Sequence, residues 1–195
     1  TSDGLVVVTW ASGMDIGISQ APIGEANRVQ SWKHTLLGAG TDARLATDQE
    51  AGRWYVTYTS NDRAHILFTY SEDQGQTWAS PETVWSVPSD SSAATNWGIC
   101  VASDRSVHIA WGEYAESRNW GGNAIWHARL LALYPASFLV REVARSTKAE
   151  DPNIAEPSIA TNSQGFVYLF WNNGVGTGTL RRRHYASQRF HIMLL

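Results

Sequence analysis

The chain contains short, mainly apolar runs that alternate with polar, turn-forming segments, and four of these runs end in an aromatic residue. The runs cover residues 3–10, 51–58, 104–111 and 164–171. The aromatic residues that end them, called the aromatic anchors below, are Trp10, Tyr58, Trp111 and Trp171. Because short apolar runs rich in β-branched and aromatic residues and bounded by turn residues are typical of β-strands, the pattern predicts one strand that is repeated four times.

Successive anchors are separated by 48, 53 and 60 residues. Repeats near this length that consist of short strands are typical of β-propellers, in which each repeat is a four-stranded blade. Loops vary in length more than strands do, which accounts for the uneven spacing. The sequence therefore predicts an all-β fold, a β-propeller of which about three to four blades are present.

A second repeated strand precedes three of the anchor-bearing strands. Its copies, which consist mainly of small and apolar residues, cover 42–48, 97–103 and 156–162. Small side chains suit the innermost strand of a blade, where neighbouring strands crowd the axis. The first residues of the copies are Asp42, Trp97 and Glu156. They are equivalent in this alignment, and we expect them to ring the mouth of the central channel.

The remaining strands of each blade follow the anchors. Third strands are expected at 16–19, 65–71, 124–129 and 180–187, and outer strands at 36–37, 84–85 and 138–140. The last residues, 191–195, are expected to form a stub of the outermost strand. One domain, 1–195, would then contain blades at roughly 1–37, 38–87, 88–146 and 147–195.

A turn sequence lies between the third and fourth strands of the second predicted blade, at residues 71–78. Asp73 is expected to accept hydrogen bonds from nearby backbone N–H groups, and Gly75 to supply a positive φ. We expect Trp78 to fold its ring over the turn. The fixed positions are Ser71, Asp73, Gly75, Thr77 and Trp78.

These five positions resemble the Asp-box, S-x-D-x-G-x-T-W, of sialidase-like (BNR-repeat) β-propellers. In that family the box is structural and lies on the face away from the ligand. The resemblance implies further blades, since sialidase-like propellers commonly have six, or about 300 residues at this repeat length. With 195 residues and no initial Met or signal peptide, the chain is expected to be a processed product or a fragment, or a small or self-assembled propeller.

Composition narrows the classes of partner. The net charge is −3 with no long basic run, so no nucleic-acid partner is implied. The sequence has no apolar stretch of the length that a membrane span needs. The single cysteine, Cys100, lies in an apolar run and is predicted to be a small buried hydrophobe.

Metal and nucleotide sites are not indicated. The six histidines have no ligand spacing, and a strand histidine packed on a sheet face is the simpler interpretation of His108 and His127. The glycine-rich run 174–178 joins two strands rather than opening a helix, so no phosphate loop is predicted. We therefore expect no metal and no cofactor. The basic run 180–185 indicates an exposed final blade, a departure from the family pattern or a basic binding patch.

Candidate ligand-binding residues lie at the start of the innermost strands and in the loops after the anchors. Trp, Tyr, Arg, Asp and Glu side chains together suit sugars, because aromatic rings stack on pyranose faces while charged groups bind hydroxyls. The candidates are Asp42, Arg44, Asp62, Arg63, Trp97, Glu113, Tyr114, Arg118, Trp120 and Glu156.

Catalysis is a stricter hypothesis. Glycoside hydrolysis usually requires two carboxylates about 5–10 Å apart, and the available pairs are Asp42 with Glu156 and Asp62 with Glu113. The family resemblance implies instead a Tyr nucleophile with a Glu, an acidic Asp and three arginines. Residues of the right kinds are Tyr114, Asp62, Arg63, Arg44 and Arg118. The Arg-Ile-Pro signature of the family is absent, so no catalytic residue is assigned.

Three functions remain open from the sequence. The leading hypothesis is an extracellular carbohydrate-recognition or protein-interaction propeller without catalysis. The second is part of a glycoside hydrolase of the exo-sialidase type. The third is a structural subunit that pairs with another chain, as an oligomer or with further blades, because unpaired edge strands invite pairing.

Overall fold

The structure is a computed structural model that describes residues 4–89, 92–118, 121–146, 153–174 and 189–194. In these ranges the chain forms strands and three short 3₁₀ turns, and no helix in them is long and apolar enough to cross a membrane. The strands group into four antiparallel sheets, numbered blades 1 to 4 along the chain. The prediction of an all-β fold built from successive sheets is confirmed.

The strand bounds are as follows. Blade 1 contains β1 (Leu5–Ser12), β2 (Asp15–Pro22) and β3 (Lys33–Ala39). Blade 2 contains β4 (Thr41–Asp48), β5 (Arg53–Thr59), β6 (His65–Ser71) and β7 (Glu82–Ser86). Blade 3 contains β8 (Ser92–Val101), β9 (Val107–Ala115), β10 (Gly121–Leu133) and β11 (Ala136–Arg145). Blade 4 contains β12 (Asn153–Thr161), β13 (Val167–Gly174) and β14 (Arg189–Leu194).

Within every blade each strand pairs with the next along the chain. Blades 2 and 3 have the order inner, second, third and outer. Among the described residues, blade 1 contains the second, third and outer strands and blade 4 the inner, second and third strands. The strands that contain the aromatic anchors are the second strands β5, β9 and β13 and the equivalent β1. The outer strands β3, β7 and β11 cover the predicted positions.

Two strand predictions were wrong. The inner strand of blade 3 begins at Ser92, five residues before the predicted start at Trp97. The prediction missed these first residues because they are small and mostly polar and do not form an apolar run. The last strand, β14, pairs directly with β13 and is a third strand rather than an outermost stub. The third strand expected at 180–187 lies outside the described residues.

Each buried anchor packs against the blade that precedes its own. Tyr58 packs in one apolar cluster with Ile16 of blade 1, and Trp171 packs in another with Ile125 of blade 3. The ring of Trp111 lies 5.7 Å from that of Trp85 in blade 2, measured between ring centroids. Large flat rings bury much apolar surface at these seams, so the anchors hold neighbouring blades together.

The buried side-chain amide of Asn96 connects blades 2 and 3 through hydrogen bonds. The Asn96 side chain is fully buried, and its Nδ2 donates to the carbonyl oxygens of Asp42 (2.9 Å) and Thr57 (3.0 Å). The Asn96 backbone N–H donates to the hydroxyl of Thr59 at 2.8 Å. Because every one of these buried groups has a partner, the seam avoids the penalty of unpaired polar atoms.

The turn at 71–78 is organised around Asp73, as expected. Its Oδ1 accepts from the backbone N–H groups of Gln76 (3.0 Å) and Thr77 (2.8 Å), and its Oδ2 accepts from the Thr77 hydroxyl (2.6 Å). Gly75 has φ +83°, and a Cβ there would lie 2.5 Å from the Trp54 ring. The ring against the glycine is therefore Trp54, whereas Trp78 packs on the apolar cluster between blades 1 and 2. That Trp78 also folds over the turn stays a prediction.

Candidate functional site

The inner strands of blades 2, 3 and 4 each contain a β-bulge at the same height. In each bulge, two inner-strand residues lie opposite one aromatic anchor. These pairs are Asp42–Ala43 opposite Tyr58, Asn96–Trp97 opposite Trp111 and Glu156–Pro157 opposite Trp171. Bulges redirect side chains and are frequent beside binding sites. We call the end of the blades nearest these bulges the bulge end, and the opposite end the turn end.

The predicted equivalence of three residues needs one correction. Asp42 and Glu156 are the first residues of their pairs, whereas Trp97 is the second, so Asn96 occupies the equivalent position in blade 3. Asp42 has φ 55° and Glu156 has φ 58°. Positive φ is uncommon for residues with a Cβ, and such strain concentrates at functional sites.

A chain of contacts connects the bulges of blades 2 and 3. The Arg44 guanidinium Nε donates to the carbonyl oxygen of Trp97 at 3.3 Å, and its Nη1 donates to the carbonyl oxygen of Ala43 at 3.0 Å. The Trp97 indole N–H donates to the Tyr114 hydroxyl at 3.3 Å. Three of the predicted site residues therefore lie together at the bulge end: Arg44, Trp97 and Tyr114.

Glu113 has a different environment from the one predicted. It lies in strand β9 rather than in a loop, and only 1% of it is exposed. Its carboxylate accepts from Asn123 Nδ2 (2.5 Å) and from the indole N–H of Trp126 (2.9 Å). Arg145 places both terminal nitrogens 3.4 Å from the two carboxylate oxygens. These donors compensate the buried charge, so Glu113 joins strands of one blade.

Asp62 and Arg63 lie at the bulge end, in the exposed loop between β5 and β6. The Asp62 carboxylate accepts from the Ser60 hydroxyl and from the backbone N–H of Ala64 (2.9 Å), and these bonds lower the pKa of Asp62. Arg63 has φ 58°, and its carbonyl oxygen accepts from the N–H of Ala94 in blade 3. The loop is thus fixed by its own polar groups.

The other loop candidates are described only in part. Glu116 and the backbone of Arg118 belong to a 3₁₀ turn after β9. Trp120 lies outside the described residues, as does the Arg118 side chain. In the part of the chain that the structure describes, no three His, Cys, Asp or Glu side chains form a group that could hold a metal ion.

At the turn end lie the hairpins between inner and second strands and the turn at 71–78. At the bulge end, Arg44, Trp97 and Tyr114 are in contact, and Asp42 and Glu156 lie at the bulges of their own inner strands. They combine two carboxylates, one guanidinium, one indole and one phenol. Such a set can stack on an apolar ring face while hydrogen-bonding to polar groups around it.

No protein-family model matches the chain, and a search of curated protein sequences found no match. Solved structures match nearly all of it at low identity. The Hadza microbial sialidase Hz136 is 14% identical with a TM-score of 0.62, and the match covers 99% of this chain and 42% of that one. An ulvan lyase of polysaccharide lyase family PL25 is 9% identical with a TM-score of 0.70, covering 99% and 53%.

A third match is the α-L-arabinanase of Penicillium chrysogenum complexed with arabinobiose, 13% identical with a TM-score of 0.60. It covers 98% of this chain and 59% of the other. The chain has a β-propeller fold. It spans about half the length of these three propellers.

Sequence reasoning missed two parts of this site. Asn96 was not singled out, although an Asn within a small-residue strand beside a Trp is an available signal for a buried polar link. The burial of Glu113 depends on Arg145, which lies 32 residues later. Only the pairing of strands within the blade brings the two together.

Proposed function

We propose that the bulge end of this propeller binds a saccharide, and that the protein is a carbohydrate-recognition module. The observation that carries the proposal is the contact of Trp97 with Tyr114, which places an indole and a phenol beside Arg44 at the bulged inner strands. Aromatic faces and charged groups in one place suit the two kinds of surface that a pyranose presents.

Two further observations support the proposal. Asp42 and Glu156 adopt positive φ at the bulges, which is a strained conformation for residues other than Gly. One matching solved structure contains arabinobiose, and another PL25 ulvan lyase structure contains a glucuronate–rhamnose sulfate oligosaccharide. Those ligands belong to those proteins, and their chemical class is what we extend to this chain.

We also infer that the propeller is of the sialidase-like type and that the turn at 71–78 is an Asp-box. The five matching residues and the hydrogen bonds around Asp73 support this assignment. The turn lies at the end opposite the proposed saccharide site, as it does in that family. Replacement of Asp73 that left the stability of the fold unchanged would contradict a structural role.

Glycan-array screening followed by calorimetry with the best glycan tests the binding proposal. Trp97→Ala is expected to weaken binding at least tenfold, because stacking on the indole is lost, whereas Trp97→Phe should retain part of the affinity. Val29→Ala is the control, since Val29 is an exposed apolar residue of blade 1, away from the bulges. Its affinity should equal that of the original protein.

The proposal would be overturned if no glycan bound, or if folded Trp97→Ala retained full affinity. Turnover of a fluorogenic sialoside that is lost in Tyr114→Phe would replace the binding module with a hydrolase of the exo-sialidase type. We expect no turnover from the chain as it stands.

A further inference from the structure

The seam between blades 3 and 4 has an unusual layer at its turn-end half. In blade 2, the face towards blade 3 presents the stacked rings of Tyr55, Phe68 and Tyr70. Counted from the anchors and along the strand pairs, the same positions in blade 3 are His108, His127 and Arg129. The three positions that hold aromatic rings in blade 2 therefore hold two histidines and an arginine in blade 3, on the face towards blade 4.

The hydrogen bonds in this layer run in one direction. Arg141 Nε can only donate, so His127 Nδ1, at 3.3 Å, is its acceptor. The proton of neutral His127 then lies on Nε2, which donates to His108 Nδ1 at 3.0 Å. His108 Nε2 in turn donates to the Ser106 hydroxyl at 2.8 Å, and that hydroxyl donates to Asp104 at 2.5 Å.

Both histidines are therefore neutral partners rather than charges. Burial, together with His108 and the neighbouring arginines, lowers the pKa of His127 to about 3, and burial likewise lowers that of His108. The positive charge of the layer comes from two guanidinium groups, those of Arg129 and Arg141. This fixed charge does not depend on pH in the ordinary range.

The guanidinium groups have more donors than the described residues use. Arg141 bonds His127 through Nε alone, and Arg129 has one ion pair, to Asp104 at 3.6 Å. Both line a cleft of about 260 Å³, whose opposite wall includes Gly165 and Val167 of blade 4. Among the described lining residues there is one carboxylate for two guanidinium groups.

We propose that this cleft binds an oxyanion between Arg129 and Arg141: a sulfate or phosphate ion, or the sulfate or carboxylate group of an acidic saccharide. Guanidinium groups present paired N–H donors that match the oxygens of such groups. The anion would neutralise the excess charge and occupy guanidinium donors that no group among the described residues satisfies. This cleft is at the turn end, so it is separate from the saccharide site proposed above.

The test is a titration of the whole chain with sodium sulfate at constant ionic strength, followed through the ring ¹H–¹⁵N signals of His108 and His127. We expect saturable shifts at millimolar sulfate, with the dissociation constant raised at least fivefold in Arg129→Gln and in Arg141→Gln. Arg28→Gln is the matched control, because Arg28 is an exposed arginine at the other side of the molecule, in blade 1. Its titration should match that of the original protein.

Parallel titrations with inorganic phosphate, glucuronate and a monosaccharide sulfate distinguish the sources. Tighter binding of a saccharide identifies an acidic glycan, and equal or tighter binding of the inorganic ions identifies a free anion; either outcome supports the site. Absence of saturable histidine shifts in the original protein would overturn the proposal, as would equal weakening in Arg28→Gln. If Arg141→Gln fails to fold, Arg129→Gln alone decides, since Arg129 is half exposed.

Discussion

A single carboxylate can organise a whole turn, and Asp73 is the example in this chain. Hydrogen bonds from the Thr77 hydroxyl and backbone N–H, and then from Ser71, lower the pKa of Asp73 from 3.8 to about 2. The charged form is thus favoured in the folded protein relative to the unfolded chain. A group whose pKa is lower in the folded state stabilises the fold above its unfolded pKa.

This linkage predicts an acid-dependent loss of stability. As pH falls from about 4 to about 2, the contribution of Asp73 should disappear, because the unfolded chain takes up its proton first. Asp73→Asn should therefore be less stable than the original protein at pH 7, and the difference should shrink towards pH 2. Urea unfolding at several pH values measures this difference.

The control for that series is Asp15→Asn, since Asp15 is an exposed carboxylate in β2. Its stability relative to the original protein should not follow the same pH profile. A difference between Asp73→Asn and the original protein that stayed constant from pH 7 to pH 2 would contradict the assignment.

At the scale of strands, the sequence was most informative where an apolar run ends in a recurring aromatic residue. Two of the anchor-bearing strands, β5 and β9, are buried on both faces, so they appear in the sequence as nearly continuous apolar runs. The start of β8 was missed, because its first residues, such as Ala93 and Ala94, are small and form no such run. Pattern reasoning thus located second strands better than inner ones.

The site candidates divided in the same way. Asp42 and Glu156 were aligned correctly, although Asp42 lies 16 residues before Tyr58 and Glu156 lies 15 before Trp171. Trp97 was aligned one residue away from its structural equivalent: it lies 14 residues before Trp111, whereas Asn96 lies 15 before it. A one-residue change of register reverses which face a side chain points to, so only the strand pairing could settle it.

The link between blades 2 and 3 gives a prediction at this scale. Asn96→Ala removes the donor for the carbonyl oxygens of Asp42 and Thr57, both at a buried seam. Leaving such acceptors unpaired should lower the free energy of unfolding by about 3 kcal/mol. Chemical denaturation measures the loss, with Thr95→Ala as a control at the neighbouring position. A loss no larger than that of the control would refute the role of Asn96.

At the scale of the molecule, the two seams of blade 3 are held differently. At its seam with blade 2, Trp111 packs in an apolar cluster that also contains Phe68 of blade 2. Its face towards blade 4 combines a smaller apolar cluster with the histidine and arginine layer. The sequence could not predict this contrast, because it depends on which faces of separate blades meet.

Cys100 provides a probe of the second seam. It is buried with Ala102 and Val167, and burial raises the pKa of its thiol to about 12. Because the thiolate is the reactive form, an aromatic disulfide reagent at pH 8 should modify the native protein very slowly. Modification should accelerate with urea in step with the separation of blades 3 and 4.

An exposed thiol calibrates that measurement. A protein with Cys100→Ser and Ser137→Cys carries its thiol on the exposed face of β11, and it should react at once without denaturant. Rapid modification of Cys100 in the native protein would show that the seam is open.

The bulges opposite Tyr58, Trp111 and Trp171 have a consequence for how specificity can change. Asp42 and Asn96 occupy equivalent places, yet one is a strained acid and the other a buried amide, while the flanking strand pairs keep the same pattern. The backbone hydrogen bonds between the strands therefore tolerate different side chains at the bulge. Evolution or protein engineering could change the ligand specificity of the propeller by substituting a few bulge residues, without altering the pairing of the strands.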